Sequence, residues 1–289
     1  MQLKRENERE AMSGPHTRLW LTGFLLSVGL ILMLSASAMA QDQEPSEPPV
    51  AVAERSDAEL LQAVDDARFT ESASSITILV VAETPDKISE ATLRLRFKTI
   101  SDQDYGRIEF LAPEELAGQI YLTTPDATFF IGPDLDFPLK VQPTNAVFGD
   151  AAVAQTSGIR FSDEYTVAER RIAVTEDGLE LIELDLQAVD FTVAFQLATV
   201  RIDAASGRAI STILYAISGL PFYEVFYEIY DSLTAEDGTE DEYARVQRIV
   251  NLLLVGNVTT TEIIEASAEE LADELFDPDL LVGMSAATE

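Results

Sequence analysis

The chain has 289 residues, 47% of them hydrophobic, and a formal net charge of −32. That length allows a real core in one or two domains, while the charge argues against nucleic acid and anionic membrane surfaces as partners. There is no Cys and a single His, His16, so disulfides, Ser-His-Asp and Cys-His catalysis and most transition-metal sites fall away, leaving carboxylate, Lys, Tyr or calcium chemistry for any enzyme.

The N-terminus reads as a targeting segment. Lys4, Arg5, Arg9 and Arg18 precede the apolar run Leu19 to Leu34, which exits through Ala38-Met39-Ala40. A basic lead, a short apolar run and small residues at the exit make a secretory signal peptide over 1–40, cleaved between Ala40 and Gln41. The run is short for a spanning helix, which needs roughly 20 residues. His16 leaves with this segment, and so do four bases and three acids, which brings the mature chain near −33 with fifteen bases. An acid-rich, lysine-poor surface suits either a salty environment or simple solubility.

Residues 41–55, rich in Pro, Glu and Gln, read as a disordered acidic linker. Ser56 with Glu59 forms a capping box, and Leu60, Leu61, Val64, Ala67 and Arg68-Phe69 continue an apolar stripe that predicts a helix to about Thr70. Strands follow. Ile76–Glu83 is a continuous β-branched run. Ala91–Thr99 alternates, with Leu93, Leu95 and Phe97 on one face and Arg94, Arg96 and Lys98 on the other. "YGRIEFLAP", "GQIYLTTP" and "ATFFIGP" add three strands. The irregular stretch 133–163 predicts a lid or crossing loop. Three further hairpins follow around "TEDG", Ala205-Ser206-Gly207 and the acidic "TAEDGTEDE". "VTTTEIIEAS" is the last strand, and Ala268–Phe276 reads as a short closing helix. About ten strands in serial hairpins argue for one antiparallel sheet, strongly curved or barrel-like.

Within this pattern "FYEVFYEIY" (Phe222–Tyr230) places five aromatics in nine residues. Its composition and the preceding Gly219 and Pro221 favour a strand over a helix. Tyr223, Val225, Tyr227 and Ile229 then form an apolar face, which either packs a core or lines a cavity. Other motifs fail. The acidic loop before Gly238 lacks the ligand spacing of an EF-hand, the acids at 269–275 read as a wet helix face rather than a glycosidase pair, and no Gly-rich phosphate loop is present.

Three stretches resemble the bacterial outer-membrane lipoprotein-sorting proteins, the LolA/LolB-like carriers. They are "RIEFLAPEELAGQIYLTTPDATFFIGP", "DEYTV" (Asp163–Val167), and the run from "ISGLPFYEVFYEIYDSL" through "RVQRIVNLLLVGNVTTTEIIEAS" to "ELFDPDLL", where Phe276 and Leu280 match the closing Phe-x-x-x-Leu. The resemblance spans roughly 57–281; Phe129-Phe130 replaces a Trp common in the family, and the acidity departs from it. It implies a mainly β, α+β fold: an incomplete, strongly curved antiparallel barrel closed by a few helices over an apolar cavity, occupying 56–281, with a flexible tail at 282–289. It further implies a monomeric periplasmic carrier of lipoprotein acyl chains or another lipid, passing cargo from an inner-membrane donor to an outer-membrane acceptor, without enzymatic activity, cofactor or metal. The expected cavity residues are Leu93, Leu95, Phe97, Phe110, Phe129, Tyr223, Val225, Tyr227 and Ile229. Family carriers latch a lid with an arginine, and Arg94 and Arg96 are the candidates. A sensor domain of the same fold acting on a membrane partner, and a carboxylate glycosidase, are the rival readings.

Overall fold

The computed structural model describes residues 51–68, 73–152, 159–234 and 238–285. The expected signal peptide and most of the expected linker lie outside them. No described helix is long and apolar enough to cross a membrane.

Helix α1 (Asp57–Arg68) begins at the capping box. The Ser56 amide donates to the Glu59 carboxylate at 2.6 Å, and the Glu59 amide donates back to Ser56 Oγ at 3.3 Å. Its stripe Leu60, Leu61, Val64 and Ala67 is buried. Just before it, a 3-10 turn at Val52–Glu54 sets Val52 into the core, so the expected linker is already docked at its end.

Strands β1 (Ser75–Glu83), β2 (Ile88–Ile100), β3 (Gln103–Ala112), β4 (Ile120–Thr124), β5 (Ala127–Ile131) and β6 (Leu139–Val141) run as successive antiparallel neighbours. So do β9 (Tyr165–Val174), β10 (Glu180–Ala188), β11 (Leu197–Asp203), β12 (Ala209–Tyr215), β13 (Pro221–Thr234), β14 (Glu240–Asn251) and β15 (Val258–Ser267). Pairing of β1 with β15 joins the two halves into one sheet of thirteen strands, with β6 and β9 at its ends. The sheet is curved and not closed into a barrel. The expected count of about ten falls short; β6, three residues long within the stretch read as irregular, is a strand that the sequence pattern did not mark.

In the expected crossing stretch, the described residues around 147–152 lie against the sheet. The stretch carries the small hairpin β7 (Ala146–Phe148) and β8 (Ala151–Ala152), then the single-turn helix α2 (Phe161–Glu164). The close approach needs small residues. Ala151 and Ala152 are fully buried, and a Cβ on Gly149, whose φ is +58°, would fall 2.5 Å from Thr259 Oγ1 and 2.6 Å from Ala82 Cβ.

Two apolar clusters share the inner face. One joins α1, α2 and β9–β14; the other joins β1–β3 to Val147. The outer face is wet over β9–β13, where a cross-strand ladder runs Arg171–Glu183–Arg201–Glu224 at 2.7, 2.8 and 2.9 Å. Over β3–β5 it is covered by the C-terminal segment. That segment is not the helix expected at 268–276: it is extended to Ala272, makes a 3-10 turn at Asp273–Phe276, and becomes helical only in α3 (Pro278–Ser285). Proline at the first helical position explains the late start. Phe276 and Leu281 are buried there against Ile120, Leu122 and Ile131, while Leu280, matched by sequence order, is 49% exposed.

Candidate functional site

Strand register decides which candidates meet. Directly paired residues share a face. Leu93 pairs with Phe110, and Leu95 with Ile108; Thr212 pairs with Val225, and Leu214 with Tyr223. All are buried on the inner face, as is Tyr227, and Phe97 packs partly buried beside them.

Two expected cavity residues are elsewhere. Phe129 pairs with Leu122, which lies against the C-terminal segment on the outer face, and its ring sits 5.6 Å from the Lys140 ammonium. Its neighbour Phe130 is the inner residue, 5.1 Å from the Tyr121 ring. Ile229 is 46% exposed, because the β13–β14 register shifts on both sides of it. The bulge reverses the alternation after Tyr227. Tyr230 turns inward instead, packs on the core and donates from its hydroxyl to Ala209 O at 2.6 Å.

Nor are Arg94 and Arg96 lid residues. They alternate with Leu93 and Leu95 and so face outward; Arg96 pairs with Glu109 at 3.1 Å and approaches Glu269 at 4.0 Å. The arginine that faces the crossing segment is Arg68, on the last turn of α1 and 4% exposed. Its Nη1 donates to Ile159 O at 2.6 Å, its guanidinium lies 5.0 Å from the Phe161 ring centre, and Asp65 is 3.9 Å away. The Asp65 carboxylate accepts from the amides of Phe161 and Ser162 and from Ser162 Oγ, each at 2.8 Å. Thus α1 holds α2 and Ile159 just before it through one acid and one base, three residues apart in its last turn. The signal was in the sequence: Arg68 lies seven residues after Leu61 and four after Val64, on the apolar stripe.

These groups cap a cavity of about 40 Å³, walled by Ile76, Ile78, Leu95, Leu214, Val225 and Tyr227. Its polar points are Arg245, Gln247, Thr261 and the Thr212–Tyr227 hydroxyl pair at 3.1 Å. Beyond Ile159, which borders both spaces, an open cleft of about 600 Å³ runs between Phe97, Tyr105, Asp65 and the acids of α2. Ligand pockets typically measure about 300–1,000 Å³. The cleft reaches that size. The cavity does not, so a chain-like ligand needs α1 and α2 displaced.

Charge is unusually placed where α1 meets α2. Burial pushes the Glu164 carboxyl up to about 7; Arg68 opposes the shift, and Asp65 and Asp163 add to it. Burial likewise raises Asp65, against Arg68 and its three hydrogen bonds. Burial raises the Tyr227 hydroxyl as well. No group of three or more metal-ligating side chains occurs among the described residues. The acids suspected near 269–275 are engaged structurally, Glu269 near Arg96 and Asp273 with Lys98 at 2.5 Å.

A wide curved antiparallel sheet, its inner apolar face crossed by a helix and a loop, matches known structures. A LolA-superfamily protein from Nitrosomonas europaea superposes with a TM-score of 0.66 at 17% identity, covering 76% of this chain and 97% of that one. The fold is LolA-like. An outer membrane lipoprotein-sorting protein domain from Vibrio parahaemolyticus gives 0.65 at 16% identity, covering 78% and 97%. A DUF1329-family protein from Desulfovibrio piger gives 0.60 at 13%, covering 78% and 97%. No family profile matches the sequence, and no curated protein does. The LolA-like likeness is one of architecture: at these identities, side-chain roles rest on this chain's own geometry.

Proposed function

We propose that this chain is a periplasmic carrier that holds acyl chains of a lipoprotein or another lipid against the inner face of its sheet, without catalysing a reaction. The observation that carries this reading is how the apolar inner face is covered. It is closed in part by α1 and α2, and they are fastened to one another by four hydrogen bonds around Asp65 and Arg68, a buried pair of opposite charges within α1. A core sealed for stability alone has little use for such a fastening, since apolar residues of like volume seal as well or better. A lid that must move can break a few polar contacts at once and regain hydrogen bonds to water.

The lack of His and Cys beyond residue 16 and the sorting-protein description of one structural neighbour support a carrier over an enzyme. The signal-peptide pattern supports the periplasm.

The test is titration of the purified protein with an environment-sensitive fluorescent fatty acid, alongside mass spectrometry of lipids retained after native purification. Saturable binding is expected. It should tighten in Arg68→Leu, because a looser lid lowers the cost of reaching the binding-competent state. If neither the wild type nor Arg68→Leu binds the probe, the inner face is a plain core and the carrier reading fails.

A further inference from the structure

The loops joining β10–β11 (189–196), β12–β13 (216–220) and β14–β15 (252–257) lie side by side. Leu197 pairs with Tyr215, Tyr223 pairs with Asn251, and the Leu252 amide donates to Phe222 O at 2.9 Å. At the usual strand spacing they form a row roughly 20 Å long. Their nineteen residues include a single charge, Asp190, in a chain that is 24% charged. They display large apolar side chains: Phe191 is 87% exposed, Ile217 89%, Leu220 58%, Leu253 52%, Leu254 56% and Val255 90%.

Single exposed apolar residues need no explanation, but a contiguous row does. This row is also built rather than loose. Asn251, 3% exposed, accepts from the amides of Leu253 and Leu254 at 3.0 and 2.8 Å and is itself anchored through Nδ2 to Asp150 at 2.7 Å. In the next loop Ala216 N donates to Leu220 O at 2.9 Å and Gly219 N to Ala216 O at 2.8 Å. The tips thus turn side chains outward while satisfying much of their own backbone.

We propose that this row seats the protein on a lipid bilayer, with the loop tips inserted shallowly among the acyl chains. Hydrocarbon offers no hydrogen-bond partners, so inserted backbone must be satisfied internally. A protein partner would supply charged groups to pair, and these tips present one, Asp190. The charge distribution selects the lipid: a tip whose single charge is the acid Asp190, on a strongly acidic body, favours zwitterionic over anionic headgroups. This holds whether or not the inner cavity carries cargo.

The chain lacks cysteine, so Val255→Cys takes a single environment-sensitive label. Phosphatidylcholine vesicles should shift its emission to the blue. They should leave unchanged a label at Glu176→Cys, in the β9–β10 turn at the other end of those strands. Leu253→Glu with Leu254→Glu should weaken vesicle binding at least about tenfold with no change in unfolding midpoint, and Ile217→Asp in the neighbouring loop should do the same. Phosphatidylglycerol in the vesicles should weaken binding too. The proposal is overturned if the label at 255 does not respond, if both labels respond equally, if the charged variants bind as well as wild type, or if anionic vesicles bind better. A response that grows with protein concentration without vesicles would assign the row to a second copy of the chain and overturn it as well.

Discussion

Replacing Glu164 by Gln should remove a pH dependence of stability that is centred on the lid. Glu164 ends α2, half-buried at the cleft, and its carboxylate makes no hydrogen bond among the described residues. Burial, with Asp65 and Asp163 nearby, moves its folded-state pKa from 4.5 to about 7. A carboxyl raised in this way binds its proton more tightly when folded. Its contribution is therefore fully present below about pH 4.5 and lost as pH rises through about 7. At about 1.4 kcal/mol per pH decade the full interval corresponds to at most about 3.5 kcal/mol. Partial exposure screens the group, so about 1–2 kcal/mol is expected. Glutamine keeps the shape and mimics the protonated acid. Urea unfolding at about pH 4 and pH 8 should show the two proteins alike at the lower pH, with Glu164→Gln the more stable by about 1–2 kcal/mol at the higher. Identical pH dependence in both would refute the reasoning, since the many remaining acids titrate equally in each and cancel in the difference.

Other outcomes follow from particular contacts. Gly149→Ala should destabilise by at least about 1–3 kcal/mol in denaturant unfolding, because its left-handed φ and the 2.5 and 2.6 Å contacts with Thr259 and Ala82 leave no room for a Cβ. Tyr227→Phe should cost only about 1 kcal/mol, the net worth of its hydroxyl bond to Thr212. Tyr227→Ala, at 5% exposure in a nearly filled cavity, should cost about 3–5 kcal/mol; calorimetry on the two variants separates the terms. Sodium chloride should raise the melting temperature, because eleven of the fifteen described Lys and Arg already make ion pairs, which leaves a large acid excess whose repulsion only mobile ions can screen. A flat melting curve from about 0.1 to 1 M salt would show that excess to be locally balanced.

The alternation that marks strands was legible wherever one face was dry and the other wet. Leu93, Leu95 and Phe97 against Arg94, Arg96 and Lys98 needed only a period of two. Where faces could not be told apart by polarity, the pattern was silent. Phe129-Phe130 offers two equal rings, and only the Leu122 and Tyr121 pairings decide between them. At Ile229 a pattern of period two is actively misleading, because the bulge is fixed by how β14 pairs and not by the composition of β13. The lid arginine was hidden for a different reason. An Arg on an apolar stripe reads as the stripe's wet end until the packing of Ile159 and Phe161 shows it buried. The crossing hairpin left a compositional trace in Gly149-Asp150-Ala151-Ala152, small residues where backbone must lie against a sheet, but nothing local says which sheet face receives it.

A sheet that does not close keeps two borders, and each could template the addition of a foreign strand. One border, β6, is three residues long with Pro138 before it and Pro143 after it, too short and too interrupted to recruit a neighbour. The other, β9, is ten residues long and shows Ile172 and Val174 at 51% and 67% exposure. Its guard is borrowed from the chain's own beginning. Arg170 reaches from β9 to the carbonyls of Arg55 and Ala53 at 2.9 and 2.7 Å and to Asp57 at 3.0 Å, drawing the segment ahead of α1 along that margin. The few residues in front of the first helix thus serve solubility as well as packing: a chain trimmed at the capping box would lose Val52 from its core and also present a bare strand on which fibrous self-assembly could begin.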